Sequence, residues 1–173
     1  PHDAVSCAAL ICGDFIYVGT SNGPDLSHIN LPYPDAPSFI ALNKKTGKLA
    51  AVDDEKIGRR MLHGQWSSPA MGKVGDKTLI FYGAGDGLLY AFEPLSKSPE
   101  GDKPATLKKV WSYDCNPHDY RFDAQGKKRL YQRLTGPARN KVRRNGPSEI
   151  IATPVFHNNR VYVATGHDPN HGT

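Results

Sequence analysis

The residues most able to do chemistry are seven histidines, three cysteines and a few acids and arginines, and they are unevenly placed. His167, Asp168 and His171 lie within five positions, and imidazole and carboxylate ligands this close together are the nearest thing in the chain to a metal site. Cys7, Cys12 and Cys115 contain no CxxC and no CxxCH, which excludes a zinc ribbon, a thioredoxin motif and covalent c-type haem within this sequence. Cys7 and Cys12 on one extended strand would stand roughly 16 Å apart, beyond disulfide reach. Between Pro94 and Glu149 there are 13 Lys and Arg against 6 acids, a local +7 that leaves the rest of the chain at −2 of the overall +5. The excess is confined to one Gly- and Pro-containing segment that includes Arg139, Arg143 and Arg144, so it reads as a solvated insertion and no nucleic-acid partner is expected.

Positioning these groups requires a scaffold, and the composition points to strands. The apolar fraction is 38%, with 17 Gly and 14 Pro in 173 residues, a balance of short strands and turns over helices. No apolar run approaches the ~20 residues of a membrane span. Ala9 to Thr20 aligns without a gap on Pro154 to Thr165, at an offset of 145, and the match continues to Pro24 and Pro169. A third copy begins at Pro69 and reaches Leu79 to Gly83 after a turn expected to be about four residues longer. Each copy reads as strand, tight turn, strand, with turns at Cys12 to Asp14, Gly75 to Lys77 and Asn158-Asn159. Further runs follow at Phe39 to Leu42 and Leu88 to Phe92, and fourth strands at Lys48 to Val52 and Lys109 to Tyr113. The second and third strands of each unit are apolar at nearly every position, a pattern of sheets covered on both faces.

Ser68-Pro69, the run Gly83 to Phe92 (Gly-Ala-Gly-Asp-Gly-Leu-Leu-Tyr-Ala-Phe) and the run Ile40 to Lys48 (Ile-Ala-Leu-Asn-Lys-Lys-Thr-Gly-Lys) resemble the PQQ-type repeat of quinoprotein β-propellers, and the whole is similar to bacterial periplasmic PQQ-like repeat proteins. The resemblance implies an all-β fold, a β-propeller of four-stranded antiparallel blades, and a periplasmic or otherwise extracytoplasmic location. Blade one would span about residues 4–53 and blade two about 65–115 with the basic insertion to about 149; blade three would start at about 150–173. One departure stands out: the repeat carries a blade-docking Trp soon after Thr-Gly-Lys, where blade one has Leu49-Ala50-Ala51 and blade two keeps Trp111. About two and a half blades cannot close a ring, so the expectation is a longer propeller whose remaining blades complete it. A self-standing three-bladed prism or sandwich is the alternative.

In such a blade, the loop entering the first strand and the loop between the second and third emerge on one side. That side receives residues 21–38, 53–65, 114–149 and 166–173, and with His2 before the first strand it carries six of the seven histidines (His2, His28, His63, His118, His167 and His171), so it is the expected functional face. Exposed polar loops also collect histidines without any function. By resemblance the innermost positions are the first strand and its entry loop. This makes His63, Gln65, Trp66 and Glu149 the candidates for lining a cofactor or ligand channel, with Trp66 able to stack on a flat ligand such as a quinone or simply to pack between blades. Asp86, between Gly85 and Gly87, is expected to be a turn former. Two functions follow from the resemblance. One is a binding scaffold for a protein or small-molecule ligand on the loop-rich face. The other is a PQQ- and Ca2+-dependent alcohol dehydrogenase, which would need a catalytic Asp, an acid and an Asn on calcium, and often an adjacent Cys pair. No adjacent Cys pair occurs, and Glu149 alone has an inner placement suited to the acid, so the scaffold is favoured.

Overall fold

The computed structural model describes residues 7–20, 22–26, 30–61, 63–129 and 147–166. The described residues are mostly β: a five-stranded sheet that is antiparallel but for its last strand, a four-stranded antiparallel sheet and a hairpin, with two single-turn helices, α1 (Ile57–Arg60) and α2 (His118–Arg121), and among them no sheet closes on itself. Among the described residues no helix is long and apolar enough to cross a membrane.

The first sheet runs β1 (Leu10–Cys12), β2 (Phe15–Gly19), β3 (Phe39–Asn43) and β4 (Leu49–Val52) in order, each strand antiparallel to the next. The second repeats it with β5 (Ala70–Val74), β6 (Lys77–Gly83), β7 (Leu88–Phe92) and, skipping one short strand, β9 (Lys109–Asp114). The hairpin consists of β10 (Val155–His157) and β11 (Arg160–Tyr162). Every one of the three hairpins turns on two residues. Gly13 and Gly75 stand alone at positive φ, and Asn158 and Asn159 are both positive, as the primed turns that match strand twist require. The longer turn expected in the second copy is therefore absent. Its four extra residues lengthen the strands, β5 and β6 having five and seven residues where β1 and β2 have three and five.

The two inner strands of the second sheet, β6 and β7, are buried on both faces, whereas its edge strands are half-buried or exposed. Ile80, Tyr82, Tyr90 and Phe92 pack on Phe15, Tyr17, Phe39 and Ala41 of the first sheet, with Phe39 stacked on Tyr82 at 4.4 Å between ring centroids. Leu79, Phe81, Leu89 and Ala91 face the hairpin, where the Phe156 ring stacks on Phe81 at 5.7 Å and lies over Gly72, whose missing side chain makes the room. The first sheet departs from the two-face expectation. Ile16, Val18, Ile40 and Leu42 on its far face are only half-buried, and Ile11 and Leu49 beside them are exposed, because the described residues place nothing against that face.

The skipped strand is the part the repeat did not foretell. Residues 93–108 link β7 to β9 by way of the first sheet, where β8 (Ala105–Thr106) adds a fifth strand, parallel to β4. Leu107 donates its N–H to the Val52 carbonyl at 2.9 Å and buries its side chain in the same core as Ala50 and Ala51, the small residues at the position expected for a docking Trp. The Leu95 N–H bonds the Tyr17 hydroxyl at 2.7 Å, and Lys109 pairs with Glu55. This strap ties the second repeat across the outer edge of the first.

Candidate functional site

The loops at one end of the sheets are joined by buried polar groups, beginning where the connection from β2 enters β3 and the chain leaves β4. Asp53 directly follows β4, and its Oδ1 accepts the N–H groups of Ser38 and Phe39 at 2.7 and 2.6 Å while Oδ2 accepts that of Glu55 at 3.1 Å. Burial raises the Asp53 pKa, and these three donors only partly oppose it. Asn22 reaches the same loop end from the other direction, donating to the Ser38 hydroxyl at 2.8 Å and the Ala36 carbonyl at 3.0 Å. The long connection from β2 to β3 is thus closed at its base.

Gln65 carries this order into the second sheet. Its Oε1 accepts the Tyr82 hydroxyl at 3.1 Å and the Gly85 N–H at 2.8 Å, and its Nε2 donates to Asn22 Oδ1 at 3.4 Å. At 3% exposure its amide is engaged between the sheets. The turn from β6 to β7 follows, where Asp86 is 1% exposed. Asp86 Oδ1 caps the Leu88 N–H at 3.1 Å, the turn role expected of it. Its Oδ2 also accepts the Tyr90 hydroxyl at 2.6 Å and Arg60 Nε and Nη2 at 3.2 and 3.0 Å, and Arg60 Nη2 bonds the Tyr90 oxygen at 2.7 Å. Burial raises the pKa of both Asp86 and Tyr90, the first in spite of Tyr90 and Arg60, the second reinforced by the neighbouring carboxylate. Glycine at 85 is required by geometry, since a Cβ there would meet the Gly64 carbonyl at 2.1 Å.

The far side of the same turn is held by the segment after β9. Arg121 forks onto Asp114 at 2.7 and 2.9 Å and reaches the Asp86 carbonyl at 2.9 Å. Asn116 exchanges bonds with Ser148, donating Nδ2–H to its carbonyl at 3.0 Å and accepting its N–H at 2.7 Å. Burial would raise the Asp114 pKa, but Arg121 and Asn116 outweigh it and the value falls.

Of the residues expected at the inner channel, His63 and Trp66 are in ring contact, centroids 5.2 Å apart and 38° between planes, with the indole lying over Gly64. His63 is buried, and Trp66 keeps part of its surface exposed. Glu149 is fully buried, its carbonyl accepting the Gly166 N–H at 2.9 Å just beyond the hairpin, and the next residue bonds the Ala84 carbonyl. Gln65 faces the gap between sheets, as described. His167, Asp168 and His171 lie outside the described residues, as do His2, His28, Arg139, Arg143 and Arg144. The groups that sequence reasoning missed are Asn22, Asp53, Arg60, Tyr82, Tyr90, Asn116 and Arg121. The signal available for some was position: Asp53 closes a strand, and Tyr90 stands four residues after Asp86 across a tight turn.

Chemically, this end of the molecule is a stiff platform. Asp53 and Asp86 are buried and bound to backbone N–H groups or to Arg60, so neither is placed to take a proton from a substrate. Among the described residues no three His, Cys, Asp or Glu side chains come together in a group that could hold a metal ion. No protein-family model matches the chain, and no curated protein matches it.

Proposed function

We propose that this chain is part of a β-propeller of the PQQ-like repeat type, working outside the cytoplasm as a scaffold that binds a protein or small-molecule ligand on its loop-rich face. The observation that supports it is the linked network from Asp53 through Asn22 and Gln65 to Asp86 and Arg60, which fixes long loops on one side of stacked sheets and leaves Trp66 partly exposed among them. Rigid loops around an accessible indole bind with little ordering cost. The repeated strand order, the two-residue turns and the two-sided burial of β6 and β7 support the propeller reading.

The test has two arms. Adding PQQ and Ca2+ with simple alcohols and a redox dye should produce no alcohol-dependent dye reduction, and turnover would overturn the scaffold reading in favour of a dehydrogenase. Trp66→Ala should weaken binding of a captured ligand at least ~10-fold, as loss of an aromatic hot spot does, while circular dichroism stays unchanged. Undiminished binding would move the functional surface off this face.

A further inference from the structure

Two guanidinium groups converge on one buried turn at the loop-rich end. Arg60, the last residue of α1, donates Nε–H and Nη2–H to Asp86 Oδ2, and Nη2 also bonds the Tyr90 oxygen. Arg121, the last residue of α2, uses the same two nitrogens. Its Nε bonds Asp114 Oδ2, and its Nη2 bonds Asp114 Oδ1 and the Asp86 carbonyl. Each side chain is thus pinned along one edge, and in each the remaining terminal nitrogen, Nη1, has no partner among the described residues. Both reach the surface, Arg60 at 46% and Arg121 at 15% side-chain exposure. Because Asp86 anchors both, two hydrogen-bond lengths plus the span of one aspartate keep their Nη2 nitrogens within roughly 11 Å of each other. Gly87 puts no side chain beside them, and a Cβ there would meet Arg121 Nη2 at 3.2 Å.

An exposed arginine gives up rotamer freedom when it grips an anion, whereas these two have already lost it to Asp86, Tyr90 and Asp114. Charge decides which anion suits them. Asp86 and Asp114 each balance one guanidinium, so a dianion such as phosphate would meet a nearly neutral pair. Arg129, whose N–H bonds the Arg121 carbonyl at 2.8 Å, adds a cation that no acid pairs among the described residues. One surplus positive charge and two planar N–H2 donors match one carboxylate. We propose that the Asp86 turn carries a carboxylate-binding site, in which Nη1 of Arg60 and Nη1 of Arg121 donate to an acidic group of the ligand, whether the side chain of an acidic peptide or a free carboxylic acid anion. This is recognition of an acidic motif by paired arginines. It rests on the reading of this end as a binding scaffold and names the ligand chemistry there.

The probe is a rhodamine-labelled peptide, Gly-Glu-Asp-Glu-Gly, with Gly-Gln-Asn-Gln-Gly as control, titrated with the 173-residue chain at low salt and read by fluorescence anisotropy. The acidic peptide should bind at least ~10-fold more tightly than the control, and R60M and R121M should each weaken it at least ~5-fold. R59M removes a neighbouring arginine of the same helix, one that pairs with Asp35 instead, and should leave the affinity within ~2-fold. In wild-type chain carrying isotope-labelled arginine, the guanidinium resonances of Arg60 and Arg121 should shift with the acidic peptide and not with the control, a readout that holds even if Arg60→Met fails to fold. Equal binding of both peptides, equal losses in R59M and R60M, or unshifted Arg60 and Arg121 resonances would overturn the proposal. Displacement of the peptide by glutarate assigns the site to free carboxylic acids and its failure assigns the site to acidic peptides, and both results uphold the carboxylate. No peptide binding, with Trp66→Ala still weakening ligand capture, removes this site alone. Peptide binding with capture undiminished by Trp66→Ala removes the Trp66 surface alone.

Discussion

Asp86 separates a turn from a tie. If it served only the turn, Asn would replace it at a loss of a few tenths of a kcal/mol, because Asn and Asp are near equals in that role. The structure gives it a second duty through Oδ2, which accepts from Tyr90 and Arg60. Asp86→Asn keeps an acceptor for the Leu88 N–H but turns an amide N–H2 toward two donors. Burial already raises the Asp86 pKa, so a neutral side chain recovers part of the desolvation penalty, and the net loss is expected to be about 1–2 kcal/mol. Asp86→Ala removes the acceptor altogether. Breaking a buried ion pair costs about 3–5 kcal/mol, and Arg60, 46% exposed, can regain water, so about 3 kcal/mol is expected. At about 2–4 °C per kcal/mol for a chain of this size, that is a fall in Tm of about 6–12 °C. Urea denaturation of wild type, both variants and Tyr90→Phe, with D86N/Y90F closing the cycle, measures it. A coupling of at least ~0.5 kcal/mol is expected between positions 86 and 90. The pH dependence carries a sign of its own. A folded pKa above the unfolded 3.8 means that the wild type gains stability over D86N as pH falls through the folded value toward 3.8. A D86N stability within ~0.3 kcal/mol of wild type and zero coupling to Tyr90 would refute the tie.

Leu107→Ala should destabilise by about 2–5 kcal/mol, since the strap's one fully buried side chain is cut from the shared core, and urea unfolding reads it. Gly72→Ala places a Cβ 2.2 Å from the Phe156 ring and should lose about 1–3 kcal/mol, a penalty that mostly disappears in a Phe156→Ala background. The lowered Asp114 pKa contributes stability above about pH 3.8 that is lost as pH falls through the folded value. In an acid titration followed by circular dichroism, Arg121→Met should flatten that part of the profile.

What could be read from the residues followed from short-range rules. Gly13, Gly75 and Asn158-Asn159 announce two-residue turns, and once a turn is fixed the register of both flanking strands follows. The position of β9 was legible because Trp111 and its neighbours form a strand-like run after a polar stretch. The strap was not, since β8 has two residues in a Pro- and Lys-rich segment without periodicity, and it pairs with a strand about fifty positions earlier. The site was legible only in outline. Placement on the loop-rich side singled out His63, Gln65, Trp66 and Glu149, but an amide serves a ligand or a neighbouring sheet equally well. Gln65 is decided by partners 17, 20 and 43 positions away, a separation no local pattern encodes.

The strap also sets the order in which the molecule can be made. The edge of β4 that β8 covers is complete at Val52, whereas its cover arrives at Ala105. At about 5–20 residues per second of synthesis, the first repeat waits roughly 3–10 s with an unpaired edge before its last strand emerges. A linear array of repeats folds from whichever unit forms first, each needing only its neighbours' faces. Here the first unit borrows a strand from inside the second, so the two mature together, and a cut between them severs both. A break at the apparent repeat boundary near Asp53 parts β4 from β8, whereas a break after Asp114 keeps the strap with both repeats.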